Sequence, residues 1–197
     1  NANSLSLDSQ TANGLSFQSS SPVNLGTGSL SLVGSTKARV LANATVTARG
    51  GMTFGSSVDG PQAFTLDAGS AAIAVTGPVG ATTRLGALTV TSAANASFAN
   101  ALTTASFTQV AGTGTTTFDD VQDYTGNFAF NGTNLTVNAA WNVGGTTGVA
   151  NSGVFTTRTS NLAALTSQEP LRKAAGAEQP GVEHHNDEHS LEFRETD

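Results

Sequence analysis

The chain has no cysteine at all, and little charge of either sign. Without cysteine, disulfides, thiolate metal sites and cysteine nucleophiles are excluded together. Only 11% of its 197 residues are charged. That excludes a chain held open by its own charge, which needs a high net charge. It also excludes a helical bundle, whose faces need Glu, Lys, Arg and Leu. No apolar run approaches the ~18 residues of a membrane-crossing helix. The formal charge of −6 argues against a nucleic-acid groove, which is basic. Asn1-Ala-Asn-Ser4 has neither the basic start nor the apolar stretch of a signal peptide. The chain opens on Asn rather than Met and reads as a piece of something longer.

What the sequence has instead is Gly, Ser, Thr, Asn and Ala, with 22 glycines among them. Its charge is unevenly placed. Residues 1–167 hold Lys37, Arg39, Arg49, Arg84 and Arg158 against Asp8, Asp59, Asp67, Asp119, Asp120 and Asp123, five minus six, a net −1. Residues 168–197 hold Arg172, Lys173 and Arg194 against eight carboxylates, three minus eight, a net −5. Every Glu and every His lies in that second stretch. The shift at about residue 167 divides a repeat domain, 1–167, from a charged tail, 168–197.

Residues 1–167 read as strands nearly throughout. The recurring unit is apolar-x-apolar: Leu5-Ser-Leu7, Leu30-Ser-Leu32, Met52-Thr-Phe54, Phe64-Thr-Leu66, Ile73-Ala-Val75, Leu88-Thr-Val90, Leu135-Thr-Val137. Alternation with period two sends the apolar side chains inward and the Ser or Thr outward. Thr and Val, branched at Cβ, favour extended backbone. Gly26-Thr-Gly28, Gly50-Gly51, Gly112-Thr-Gly114 and Gly144-Gly145 punctuate the strands as turns.

Short strands fit a sandwich or a solenoid, and the repeat arbitrates. Phe54-x3-Val58 aligns with Val75-x3-Val79 at a shift of 21, and Phe118 with Val121 stands about two periods further on. Phe64-Thr-Leu66 aligns with Leu88-Thr-Val90 at 24, and Leu135-Thr-Val137 lies 47 beyond Leu88, about two periods. A period of about 21–24 residues with three strands in each predicts a right-handed parallel β-helix over roughly residues 4–160. Phe54, Leu66, Val75, Leu88, Val90, Phe107, Phe118, Leu135 and Val137 are then inward. About 22 residues per coil gives roughly seven coils, a rod of about 35 Å at ~4.8 Å per stacked strand. So narrow a tube has room for stacked Leu, Val, Ile, Phe and Ala, and needs no charge.

Gly51-Met-Thr-Phe-Gly-Ser-Ser-Val-Asp-Gly60, Phe64-Thr-Leu-Asp-Ala-Gly69, Val79 to Ala93, Ala105 to Phe118 and Gly132 to Ala140 resemble the repeats of giant bacterial surface adhesins, of the filamentous-haemagglutinin and autotransporter-passenger kinds. The likeness spans roughly residues 1–160 and rests on repeat style. It implies a parallel β-helix, secretion to the cell surface or beyond, and a passive adhesive role. Surface glycans or proteins of a host or neighbouring cell are the implied partners.

Candidate chemistry is sparse. Asp119, Asp120 and Asp123 form the one carboxylate cluster of residues 1–167. Paired carboxylates can hydrolyse a glycosidic bond or hold Ca²⁺ through hard oxygens. The cluster lies between a strand and the turn-like Tyr124-Thr-Gly126, so a solvated turn is the expected reading. His184, His185 and His189, with Glu183, Asp187 and Glu188, resemble a metal set. On a helix His185 and His189 would share a face and could take Zn²⁺. The segment carries no His-Glu-x-x-His and reads as a charged tail. No cofactor and no resident metal are expected. A Ser-His-Asp set is excluded because residues 1–167 lack His. Asn43-Ala-Thr45, Asn95-Ala-Ser97, Asn131-Gly-Thr133 and Asn134-Leu-Thr136 match the glycosylation pattern, as an Asn- and Thr-rich chain does by chance. Thr45-Val-Thr47 and Thr89-Val-Thr91 resemble the Thr rows of ice-binding solenoids, which need that unit on every coil. Ser167 to Gly176 carries helix punctuation, with Ser167 as N-cap and Gly176 as stop, and predicts a short helix at about 168–175 followed by disorder.

Three function classes follow: a non-catalytic stalk, a carbohydrate-active β-helix, and an ice- or surface-binding solenoid. The stalk is the favoured reading, because the five basic residues are dispersed along the sequence.

Overall fold

The computed structural model describes residues 3–9 and 14–158, and it is a parallel β-solenoid of about seven turns. Every strand pair is parallel. The first face stacks β1 (Leu5–Ser9), β4 (Leu30–Gly34), β7 (Met52–Phe54), β10 (Ile73–Val75), β12 (Ala96–Phe98), β14 (Thr115–Phe118), β17 (Asn134–Val137) and β20 (Phe155–Thr157) in that order. The second face holds β2 (Leu15–Phe17), β5 (Ala38–Val40) and β8 (Val58–Asp59). Single bridges from Val58 to Val79 and from Val79 to Leu102 carry this face on to β13 (Leu102–Gln109), β15 (Gln122–Tyr124) and β18 (Trp141–Val143). The third face runs β3 (Val23–Asn24), β6 (Ala44–Thr47), β9 (Phe64–Asp67), β11 (Leu85–Ser92), the end of β13, β16 (Phe128–Gly132) and β19 (Thr147–Asn151). β13 turns the corner without a break: Leu102–Thr104 pair with β15 and Phe107–Gln109 with β16.

The register supplies the true period. On the first face Leu5, Leu30, Met52, Ile73, Ala96, Thr116, Leu135 and Phe155 are successive partners, giving steps of 25, 22, 21, 23, 20, 19 and 20 residues. Coils shorten along the chain because the corners shrink while the strands stay in register. All nine residues expected inward are buried.

Two alignments made on sequence are corrected by this register. Leu135-Thr-Val137 is not a third-face strand above Leu88; it lies on the first face between Thr116 and Phe155. Leu88 instead stacks between Phe64 and Phe107. The same Leu-Thr-Val text recurs on two faces, so a shift close to two periods fell on the wrong one. Val121 does not continue the Val58–Val79 row either. Leu102 and then Gln122 take that place, and Val121 points to solvent.

The interior rows are apolar, with long aromatic runs. Phe98 stacks on Phe118 at 5.0 Å between ring centroids, Phe107 stacks on Phe128 at 5.2 Å, and Phe128 meets Trp141 edge-on at 4.6 Å. Such pairs add about 0.5–1.5 kcal/mol each beyond the area they bury. The interior is not wholly apolar, as composition had implied. Gln109, Thr116 and Gln122 are buried, and each has a partner. Thr116 Oγ1 donates to Gln109 Oε1 at 2.8 Å, and Tyr124 Oη donates to Gln122 Oε1 at 3.2 Å. A hydrogen-bonded pair removes most of the cost of burying polar groups.

Candidate functional site

Asp119, Asp120 and Asp123, weighed for carboxylate or Ca²⁺ chemistry and expected to be a solvated turn, are separated by the structure. Asp119 and Asp120 lie in the corner after β14, while Asp123 faces outward from β15. Asp119 Oδ1 accepts from Asn138 Nδ2 at 2.8 Å, one coil further on. Asp120 Oδ1 accepts from the backbone N–H of Val121 at 2.7 Å. Asp123 is ion-paired with Arg84, 39 residues away. Each carboxylate thus engages a different partner. Among the described residues no three His, Asp or Glu side chains converge as metal ligands. His184, His185 and His189, and the helix expected at 168–175, lie outside the described residues.

The Arg84–Asp123 pair was not read from the sequence. Arg84 precedes β11, and its Nη1 donates to the backbone carbonyls of Thr104 at 3.0 Å and Asp123 at 2.8 Å. One guanidinium therefore ties three consecutive coils. The signal available was periodic: Thr104 and Asp123 follow Arg84 by about one and two coil lengths. Arg39, Asp59 and Asp123 all face outward from second-face strands. Asp59 Oδ1 accepts from the backbone N–H of Thr82 at 2.9 Å. Sugar-binding faces pair such charges with exposed rings, and among the described residues the exposed large apolar side chains are Leu41, Val110, Val121 and Val154, none aromatic.

A second charged group sits on the third face. Asp67 Oδ1 accepts from Ser92 Oγ at 2.6 Å and from the backbone N–H of Gly69 at 3.0 Å, and Arg49 lies at 3.5 Å from Oδ2. The Ser92 hydrogen bond, chief among the causes, holds this carboxyl below the usual carboxylate range against the opposing effect of partial burial; Gly69 and Arg49 add to it.

Three of the four glycosylation-like asparagines have a structural role. Asn43, Asn95 and Asn134 each turn Oδ1 to a backbone N–H of the next coil, those of Ala63, Thr115 and Val154, at 3.1, 2.8 and 2.8 Å. Asn127 does the same to Thr146 at 2.9 Å. The match arises because a corner Asn is followed by an inward apolar residue and an outward Ser or Thr. Before three of the four capped residues stands a glycine: Gly114, Gly145 and Gly153. A Cβ there would collide with the capping Asn Oδ1.

The outward hydroxyls form ranks. On the third face Thr45, Thr65, Thr89 and Thr108 are successive partners, and Ala129 ends the row. The neighbouring row reads Thr47, Asp67, Ser92, so a doubled Thr rank is not formed. On the first face Ser31, Thr53, Ala74, Ser97, Thr117, Thr136 and Thr156 align.

The fold and these faces define a parallel β-solenoid with hydroxyl-rich walls. Comparison with protein-family models, with curated proteins and with solved structures finds no match. Among the described residues no helix is long and apolar enough to cross a membrane.

Proposed function

We propose that this chain is a non-catalytic stalk segment of a bacterial adhesin, secreted or held at the cell surface. The observation that carries the reading is where its charged side chains go. Arg84, Asp59, Asp67 and Asp119 each bond to a neighbouring coil. They join turns of the rod to one another and do not converge on a cleft. Resemblance in repeat style to filamentous-haemagglutinin-like and autotransporter-passenger-like proteins supports the same reading. So does an outer wall of uncharged hydroxyls, which stays wetted without inviting charged partners. Its partners are then glycans or proteins of a neighbouring surface, met through flanking parts of the adhesin.

The test compares tethering with turnover. Beads carrying the chain should bind cells no better than uncoated beads, and incubation with acidic polysaccharides should release no shortened or unsaturated sugars. Release of sugars that disappears in Asp123→Asn overturns the stalk in favour of a carbohydrate-active β-helix.

One second reading, that of an ice- or surface-binding solenoid, rests on the single four-Thr rank of the third face, without the doubled rank. Thermal hysteresis that falls in Thr65→Tyr and Thr89→Tyr would establish it.

A further inference from the structure

We infer that residues 80–84 are a strap that opens on its own, with Arg84 as its clasp, at the place where the second face is narrowest. The inference concerns the mechanics of the rod and goes beyond the stalk reading; it holds whatever the walls bind.

The second face narrows at the fourth coil. There Val79 alone bridges Val58 of the preceding coil and Leu102 of the following one. The same coil gives three residues to the first face in β10 and eight to the third in β11. Four backbone hydrogen bonds hold the narrow place. Val58 N–H donates to the Pro78 carbonyl at 3.0 Å, and Gly80 N–H to that of Val58 at 2.8 Å. Val79 N–H donates to the Ala101 carbonyl and Thr103 N–H to that of Val79, both at 2.9 Å. Behind this row lies a cavity of about 10 Å³, lined by apolar side chains that include Val58, Val79, Leu85 and Phe98. Such a void has room for about one water and offers it no polar partner, so it stays dry and its walls lack contacts on that side. Ladder and packing are thin at the same spot.

The chain then leaves the wall. Gly80 turns it away at φ +69°, a conformation that suits glycine. Ala81, Thr82 and Thr83 are exposed, and the chain returns to the core at Leu85. Between these points the strap puts no apolar side chain into the interior. It is fastened on both sides by charged groups. Toward the preceding coil, Asp59 Oδ1 accepts from the backbone N–H of Thr82 at 2.9 Å and of Thr83 at 3.4 Å. Gly60 N–H adds a bond to the Thr83 carbonyl at 3.3 Å. Toward the following coils, Arg84 donates to the carbonyls of Thr104 and Asp123 and pairs with the Asp123 carboxylate. The Arg84 and Asp123 side chains are 35% and 43% exposed, so water and salt reach the clasp. Its release frees residues 80–84 and draws no side chain out of the core. Local opening takes place in segments of this kind, with few buried apolar contacts and exposed hydrogen bonds. The first and third faces run unbroken through the fourth coil and hold the rod together while the strap is open. A rod built this way yields at one coil before it unravels.

Hydrogen exchange at residue resolution on the full chain, with and without low urea, tests this. In the native chain the Thr82 and Thr83 amides should exchange ahead of those of Leu88 and Phe107, at a rate that low urea does not change. High salt should speed them about threefold by screening the clasp. Arg84→Met removes the charge-assisted bonds and should speed them about tenfold. That factor should match the loss of global stability in a urea melt, because the clasp is already broken in the open strap. Circular dichroism matching the native chain shows that the variant folds, and the native chain alone supplies the urea and salt results. Strap amides that exchange only with global unfolding, at the rate and urea dependence of Leu88, overturn the inference. So do strap amides whose rate Arg84→Met leaves unchanged.

Discussion

At the scale of single residues the interior rows set stability. Leu88 is 2% exposed and stacks between Phe64 and Phe107. Leu88→Ala removes those contacts and leaves a cavity in a tube that cannot collapse, so it should cost about 2–5 kcal/mol in a denaturant melt. Asp119→Asn, at an exposed corner, should cost under about 1 kcal/mol. Asp67 gives an acid dependence. Its folded pKa lies below the unfolded value of about 3.9, so its contribution is complete above that value and is lost as pH falls through the folded one. Stability should therefore fall below about pH 4, and Ser92→Ala, which removes the chief cause, should flatten that fall. Tyr124 acts at the other end of the scale. Burial lifts its phenol well above the usual value. The stability linked to its neutral form is complete below the unfolded pKa of about 10 and is lost as pH rises from there through the folded pKa. Tyr124→Phe should remove that alkaline slope.

At the scale of elements the corners set which strands stack. In the corner that joins the third face to the first, Asn134 caps Val154, and Gly153 makes room for it. Gly153→Ala should cost about 1–3 kcal/mol by forcing a Cβ onto Asn134 Oδ1. Asn134→Ala alone loses the cap. The double variant should cost less than the sum of the singles, because the collision goes with the side chain that causes it. Urea melts of the four-member cycle measure this. Simple additivity would mean that the glycine answers to the backbone and not to the asparagine. The turn signals Gly112-Thr-Gly114 and Gly144-Gly145 were legible as turns. Their reason was not, because for Gly114, Gly144 and Gly145 the conflicting atom comes from a coil about 19 residues earlier. Gly51, at φ +107°, is a turn glycine in the ordinary sense.

At the scale of the whole molecule each coil pairs its strands only with those of its neighbours, so stability is close to a sum of coil and interface contributions. The middle coils have two coil–coil interfaces, and the first and last coils among the described residues have one. Hydrogen exchange should therefore protect Leu66, Leu88 and Phe107 most, and the strands at Leu5–Ser9 and Thr147–Asn151 least. Uniform protection along the rod would indicate a single cooperative unit or covered ends.

The sequence by itself determined the strand class, the three-strand coil, the approximate period and the inward direction of the main apolar side chains. All of these follow from local alternation, Cβ branching and glycine spacing. It did not determine register, because corners of unequal length shift the period from 25 residues to 19 and two faces share one apolar text. Only the stacked coils placed Leu135 on the first face, put Gln122 inward in place of Val121, and brought Arg84 to Asp123. The reason is physical: hydrogen bonds between coils join residues that local pattern cannot relate, and an extra corner residue changes the spacing without changing the stack.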